Sequence, residues 1–122
     1  MAKKVLIVED EDLIVRVLSI RLEGLGYKVF SAVDGEEGLK AARREKPDLV
    51  ILDIGLPGID GTTLCELIKS SPETKDVKVI MLTGKKLVGD MEKSFEAGAD
   101  AYVNKPYEWA RLQAHIEKLI GR

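Results

Sequence analysis

The sequence predicts an α/β protein with a doubly wound sheet: five parallel strands, helices on both faces, and a strand–helix unit repeated five times. Three observations predict it. Short aliphatic runs recur along the chain, amphipathic stretches of helical spacing separate them, and two of the runs (Leu49-Val50-Ile51-Leu52 and Val79-Ile80-Met81-Leu82) are apolar throughout. A strand covered by helices on both faces shows no polar side, so it lacks the alternation of a half-exposed strand.

The runs occupy residues 5–8, 29–32, 49–52, 79–82 and 101–103. Between the first two, Ile14, Val17, Leu18, Leu22 and Leu25 keep the i, i+3, i+4 spacing of one helix face and stop at Gly26. Asp12 is the expected N-cap of that helix, with Glu11 beside it facing the helix dipole. Asp34 followed by Glu37 reads as a capping box, opening a helix with Leu39 and Ala42 inward and a turn at Pro47. Leu64, Leu67 and Ile68 mark a third helix ended by Pro72. Val88, Met91 and Phe95 mark a fourth, stopped at Gly98. Trp109, Leu112, Ile116, Leu119 and Ile120 mark the last, where Trp109 is expected in the core and His115 at the surface.

Right-handed crossovers and five strands favour the flavodoxin-like order 2-1-3-4-5. Ligands of such sheets bind beyond the carboxyl ends of the strands, at the switch point between the first and third. The informative residues are then those just after Val8, Leu52, Leu82 and Val103.

The 122 residues suit a single domain, 1–122, and no effector domain is expected in them. Formal net charge is −2 and no long basic block occurs, so no direct nucleic-acid contact is expected. Cys65 is the sole cysteine and lies in an apolar run, which favours a buried hydrophobe over a reactive thiol. No apolar run approaches the length of a membrane span, and a cytoplasmic location is the expectation.

Four acids, Glu9-Asp10-Glu11-Asp12, follow the first run, and Asp53 abuts the third. Neighbouring first and third strands bring Glu9, Asp10 and Asp53 together, where their mutual repulsion calls for a divalent cation. Mg²⁺ suits a site of hard oxygen ligands and few carboxylates. Taken alone, Glu9 and Asp10 also fit a solvated loop; Asp53, ending an apolar strand, needs a partner to be buried. Thr83 follows the fourth run and Lys105 the fifth. Alone, each suits a turn hydroxyl or a surface lysine. Together they bring a hydroxyl and an amine to the crevice that holds the acids.

The ordered set Val8-Glu9-Asp10, Leu52-Asp53 with Pro57 and Gly61 behind it, Thr83, and Lys105-Pro106 resembles that of response-regulator receiver domains, over the whole chain. The resemblance implies that Asp53 is the phosphoacceptor and that Glu9 and Asp10 are the acidic pair, Asp10 the more direct Mg²⁺ ligand. It also makes the backbone carbonyl of Gly55 a third protein ligand, Thr83 the switch hydroxyl, Lys105 the phosphate-binding lysine and Tyr102 the switch aromatic. The Lys105–Pro106 peptide is expected to be cis. By its own pattern, Tyr102 is a half-buried strand aromatic with its hydroxyl in water. Three positions depart from the usual pattern: Glu9 is longer than aspartate, Gly55 has no side chain at the mouth, and Tyr107 replaces phenylalanine. Gly55 and Lys85 bear on the lifetime of the phosphorylated state.

The resemblance further implies a phosphohistidine donor on a sensor histidine kinase or histidine phosphotransfer protein, and a downstream protein target. It implies autodephosphorylation without turnover of an external substrate. The face formed by the fourth and fifth helices and the fifth strand would switch, and a phosphorylation-dependent homodimer is compatible with that. Two alternatives are a small aspartate-nucleophile phosphatase, faintly suggested by Asp60-Gly61-Thr62, and a degenerate receiver used only for protein contacts. The second is disfavoured because both Asp53 and Lys105 are present. Nucleotide binding is disfavoured because no glycine-rich turn follows Val8.

Overall fold

A computed structural model describes residues 2–56, 58–83 and 97–121. Strands β1 (Lys4–Val8), β2 (Lys28–Ala32), β3 (Leu49–Asp53), β4 (Lys78–Thr83) and β5 (Ala101–Asn104) form one parallel sheet in the order β2-β1-β3-β4-β5. The helices are α1 (Asp12–Gly24), α2 (Gly35–Glu45), α3 (Gly61–Ser70) and α4 (Trp109–Ile120). Each expected strand is present, lengthened by up to two residues. The helical stretch expected around Val88, Met91 and Phe95, and Lys85 and Pro57, lie outside the described residues.

Residues alternate between two cores on opposite faces of the sheet. Leu6, Val8, Val50, Leu52, Val79 and Met81 meet Ala41, Ala42, Leu64 and Ile68 of α2 and α3. Val5, Ile7, Leu49, Ile51, Ile80 and Leu82 meet Leu18, Leu22, Leu112 and Ile116 of α1 and α4. Every strand residue named here is at most 1% exposed, which is why β3 and β4 read as unbroken apolar runs. Cys65 is fully buried, and its thiol donates to the Ala97 carbonyl at 3.5 Å. Burial pushes its pKa up to about 11, against weaker lowering by Lys69.

Local expectations fare unevenly. Asp34 caps α2, its side chain accepting from the Glu37 amide at 2.8 Å. Asp12 does not cap α1: Glu11 holds that position without a side-chain cap bond, and Asp12 pairs instead with Arg16 at 2.8 Å, both exposed. The reason is that the helix opens one residue early: the Val15 amide already donates to the Glu11 carbonyl at 3.2 Å, two residues after Glu9 donates its own amide to Ala32 at 3.0 Å. Val17 is 39% exposed, so the buried stripe of α1 is narrower than its spacing implied. Trp109 is half-buried, with the Arg21 guanidinium 5.2 Å from its ring centre, and His115 is half-buried rather than at the surface.

The free end of α4 is tied back across the sheet. Lys3 donates its ammonium to the Ile120 carbonyl and Tyr27 its hydroxyl to Gly121, satisfying carbonyls that a helix terminus leaves without partners.

Candidate functional site

The register of the sheet builds the site. Val8 pairs with Leu52 and Asp53 with Leu82, so the residues that follow β1 and those that end β3 emerge side by side. Carboxylate oxygens of Glu9, Asp10 and Asp53 lie within 4.8 Å of one another. The expected convergence of the three acids is therefore present. Lys105, one residue beyond β5, reaches them from the far side of the sheet, through a cis Lys105–Pro106 peptide.

Glu9 is 1% exposed, buried more deeply than a loop acid would be. Both of its oxygens are engaged: Oε1 accepts from the Glu11 amide at 3.2 Å and Oε2 from the Lys105 ammonium at 2.8 Å. The same ammonium stands 3.6 Å from Asp53 Oδ2. Asp53 Oδ1 accepts from the Gly55 amide at 3.2 Å, and the Asp53 side chain is 13% exposed. Asp10 is exposed at the mouth.

The electrostatics follow from this arrangement. Burial raises the Glu9 pKa, and the Asp53 charge adds to it, against the lowering effect of the bonds from Lys105 and the Glu11 amide. Burial alone would lower Lys105, but the bond to Glu9 and the charges of Asp53, Glu9 and Glu11 outweigh it and raise its pKa. The two shifts are consistent, because the ammonium faces several acids whereas Glu9 faces one cation and a competing carboxylate. Burial also raises Tyr107, against Arg21 and Lys105.

Among the described residues, one ammonium therefore pairs with two of three convergent carboxylates, Glu9 and Asp53. The donor set is all oxygen and carries excess negative charge, with Asp10 open to solvent. A small divalent cation fits it, and Mg²⁺ keeps waters that would complete its shell.

The remaining expected residues are placed less fully. Thr83 ends β4 in register with Asn104, and its side chain falls outside the description. Tyr102 is only 9% exposed and packs in the α2–α3 core, so the half-buried strand position is corrected. Its register explains this: it pairs with Met81, a residue of that same face. Asp60 caps α3 by accepting from the Thr63 amide at 2.8 Å, which gives the phosphatase-like Asp60-Gly61-Thr62 a structural role. Sequence reasoning brought Lys105 to the acids without singling out Glu9 as its nearest partner, a preference that turns on side-chain reach.

A doubly wound sheet whose switch point presents three acids and a lysine defines a class: α/β proteins with a carboxylate-centred site at the switch point. Residues 5–117 match the family model described as the response regulator receiver domain, and the chain belongs to that family. It is 40% identical over 122 residues to the alkaline phosphatase synthesis transcriptional regulatory protein PhoP of Bacillus subtilis, covering 100% of this chain and 50% of that one. It is 38% identical to the DNA-binding dual master transcriptional regulator RpaA of Synechocystis, over 98% of this chain and 49% of the relative. The chain thus spans about half the length of these curated relatives. An absence of nucleic-acid contact, expected of these residues, does not extend to proteins of that length. Among solved structures, the receiver domain of sensor histidine kinase PA1611 from Pseudomonas aeruginosa PAO1 matches with a TM-score of 0.90 and 32% identity, covering 100% of both chains. That structure has a magnesium ion coordinated in its active-site cleft.

Proposed function

We propose that residues 1–122 are a single receiver domain in which Asp53 accepts a phosphoryl group from a phosphohistidine on a sensor histidine kinase or phosphotransfer protein. The observation that carries this reading is the ammonium of Lys105 set against Glu9 and Asp53, with the Asp10 carboxylate beside them. Such a site carries excess negative charge until a cation and an electrophilic phosphorus arrive.

Glu9, Asp10, Asp53 and the Gly55 carbonyl would hold Mg²⁺. Bound there, the ion supplies charge neutralisation for the carboxylates and the incoming phosphoryl oxygens. A carboxylate oxygen of Asp53 forms the new O–P bond as the P–N bond of the donor breaks, its electron pair leaving with the imidazole. Lys105 leaves Glu9 to meet a phosphoryl oxygen, a short move for a flexible ammonium already 3.6 Å from Asp53. Water later hydrolyses the acyl phosphate, so the domain limits its own signal and turns over no external substrate.

The added phosphoryl brings charge and strong acceptors into the crevice. Thr83 donates its hydroxyl to one oxygen, and Tyr102 shifts with it. The face around β5 and the last helix then changes its affinity for a downstream protein, or for a second copy of the chain. A cytoplasmic setting accompanies this role, and no described helix is long and apolar enough to cross a membrane.

The test is labelling. Wild type incubated with Mg²⁺ and a small acyl phosphate gains one phosphate-sized mass increment. Asp53→Ala does not. Unlabelled wild type, or undiminished labelling of the variant, overturns the proposal.

A further inference from the structure

We infer that the first turn of α2 positions the metal-binding loop, acting through Gly35; the inference rests on the Mg²⁺ site proposed above. The loop in question runs from Ile54 to Asp60 and carries the Gly55 carbonyl. Its ends are pinned. Ile54 donates its amide to Leu82 at 3.1 Å, and its carbonyl accepts from Gly61 at 3.0 Å. Gly61 packs so closely that a Cβ there would lie 2.7 Å from the Ile54 Cα. Leu56 is buried in the α2–α3 core, and Asp60 is held as the cap of α3.

The return half of the loop rests on α2. A Cβ built on Gly35 would collide with the Ile59 carbonyl oxygen and lie 2.7 Å from Ile59 Cβ and 3.1 Å from its carbonyl carbon. These are mostly backbone atoms, which cannot rotate aside as a side-chain tip does. Retreat of α2 is opposed from below. Gly38 sits over Val8, where a Cβ would lie 2.9 Å from Cγ1, and Ala41 and Ala42 of the same helix are buried in the core below. The first two turns of α2 therefore bridge both segments that supply the site: the end of β1, which leads into Glu9 and Asp10, and the loop after Asp53.

With both loop ends fixed, a methyl group at Gly35 displaces Ile59, and backbone torsions among residues 54–56 and 58–60 absorb the shift. Gly55 and Gly58 are the softest of these. Ile59 and Leu56 pack in the same α2–α3 core, so Leu56 shifts with it and the carbonyl of the adjoining Gly55 leaves its position although no ligand has been changed. Groups that orient metal ligands from behind commonly contribute about 10-fold or more to affinity.

Mg²⁺ titration calorimetry on the full chain, paired with acyl-phosphate labelling, tests the inference. Gly35→Ala is expected to raise the Mg²⁺ dissociation constant about tenfold, and saturating Mg²⁺ to restore its labelling to the wild-type level. Gly24→Ala, at a helical glycine with no atom within 4 Å of the added Cβ, is expected to bind as wild type does. A folded Gly35→Ala with unchanged affinity, or with a labelling deficit that Mg²⁺ does not restore, overturns the positioning role. If Gly35→Ala does not fold, amide shifts of the wild type decide. Those of Gly35 and Ile59 are expected to move with the same Mg²⁺ midpoint as Gly55, and their silence overturns the role. Wild type that binds no Mg²⁺ instead overturns the metal reading beneath it.

Discussion

Lys105 Nζ lies 2.8 Å from Glu9 Oε2 and 3.6 Å from Asp53 Oδ2, so the lysine sits closer to the acid that is most deeply buried than to the proposed phosphoacceptor. Before a cation binds, Lys105 is the charge that lets a carboxylate with 1% exposure remain in the fold. Removing one partner of a buried pair leaves the other uncompensated.

Lys105→Met is accordingly expected to lose about 3 kcal/mol of stability at neutral pH, the low end for a buried pair because the lysine keeps 16% exposure. Lys105→Met combined with Glu9→Gln is expected to lose less than Lys105→Met alone, since no buried charge is stranded. Urea unfolding of the two single variants and the double variant measures the coupling. Added Mg²⁺ is expected to raise the melting temperature of Lys105→Met more than that of wild type, because a bound cation replaces the missing ammonium. Equal shifts would show that the lysine and the cation do not share the site.

Asp10 gives the opposite signature. It is exposed, so Asp10→Asn is expected to change metal-free stability by less than about 0.5 kcal/mol. As the most open of the three carboxylates, it is nonetheless expected to weaken Mg²⁺ binding by about tenfold or more when neutralised. Thermal unfolding with and without Mg²⁺ separates the two effects. A metal-free loss of stability in Asp10→Asn would mean that it is a structural acid.

The two helix-start aspartates also divide. Asp34→Ala removes a 2.8 Å bond to the Glu37 amide and is expected to cost about 1 kcal/mol. Asp12→Ala removes only an exposed pair with Arg16 and is expected to cost less than about 0.5 kcal/mol. Chemical denaturation of both variants checks the order, and a larger loss for Asp12→Ala would reinstate it as a cap.

That pair illustrates what a sequence makes legible. The strands and their order were readable because burial on both faces erases alternation, and Asp34 was readable because a single acid stands before its helix. In the run Glu9-Asp10-Glu11-Asp12 four acids compete for roles, and the choice depends on where β1 stops pairing with β2, a non-local fact. The convergence of Glu9, Asp10 and Asp53 could be foreseen from strand adjacency alone. The preference of Lys105 for Glu9 could not, because it turns on side-chain reach across β3. Burial of Tyr102 likewise depends on its register with Met81. The support of Ile59 by Gly35 was hidden for another reason: Asp34-Gly35 already had a complete local explanation as a helix start.

Cys65 supplies the last test, and it concerns pH. Its thiol is fully buried and its pKa is pushed up from 9.0 to about 11 by burial. An acid whose pKa is raised by folding contributes stability that is whole below the unfolded value and lost as pH rises through the folded one. Between pH 9 and about 11 the unfolded chain has released this proton while the native chain retains it. Stability is therefore expected to fall across that window, by roughly 2–3 kcal/mol from this group. Cys65→Ala is expected to flatten that part of the profile while costing about 1 kcal/mol near pH 7 through lost packing. Native protein at pH 8 is expected to resist alkylation by iodoacetamide and to react once unfolded in urea. Rapid labelling of the folded chain, or an unchanged alkaline slope in Cys65→Ala, would show that the thiol reaches solvent and that its burial does not set its acidity.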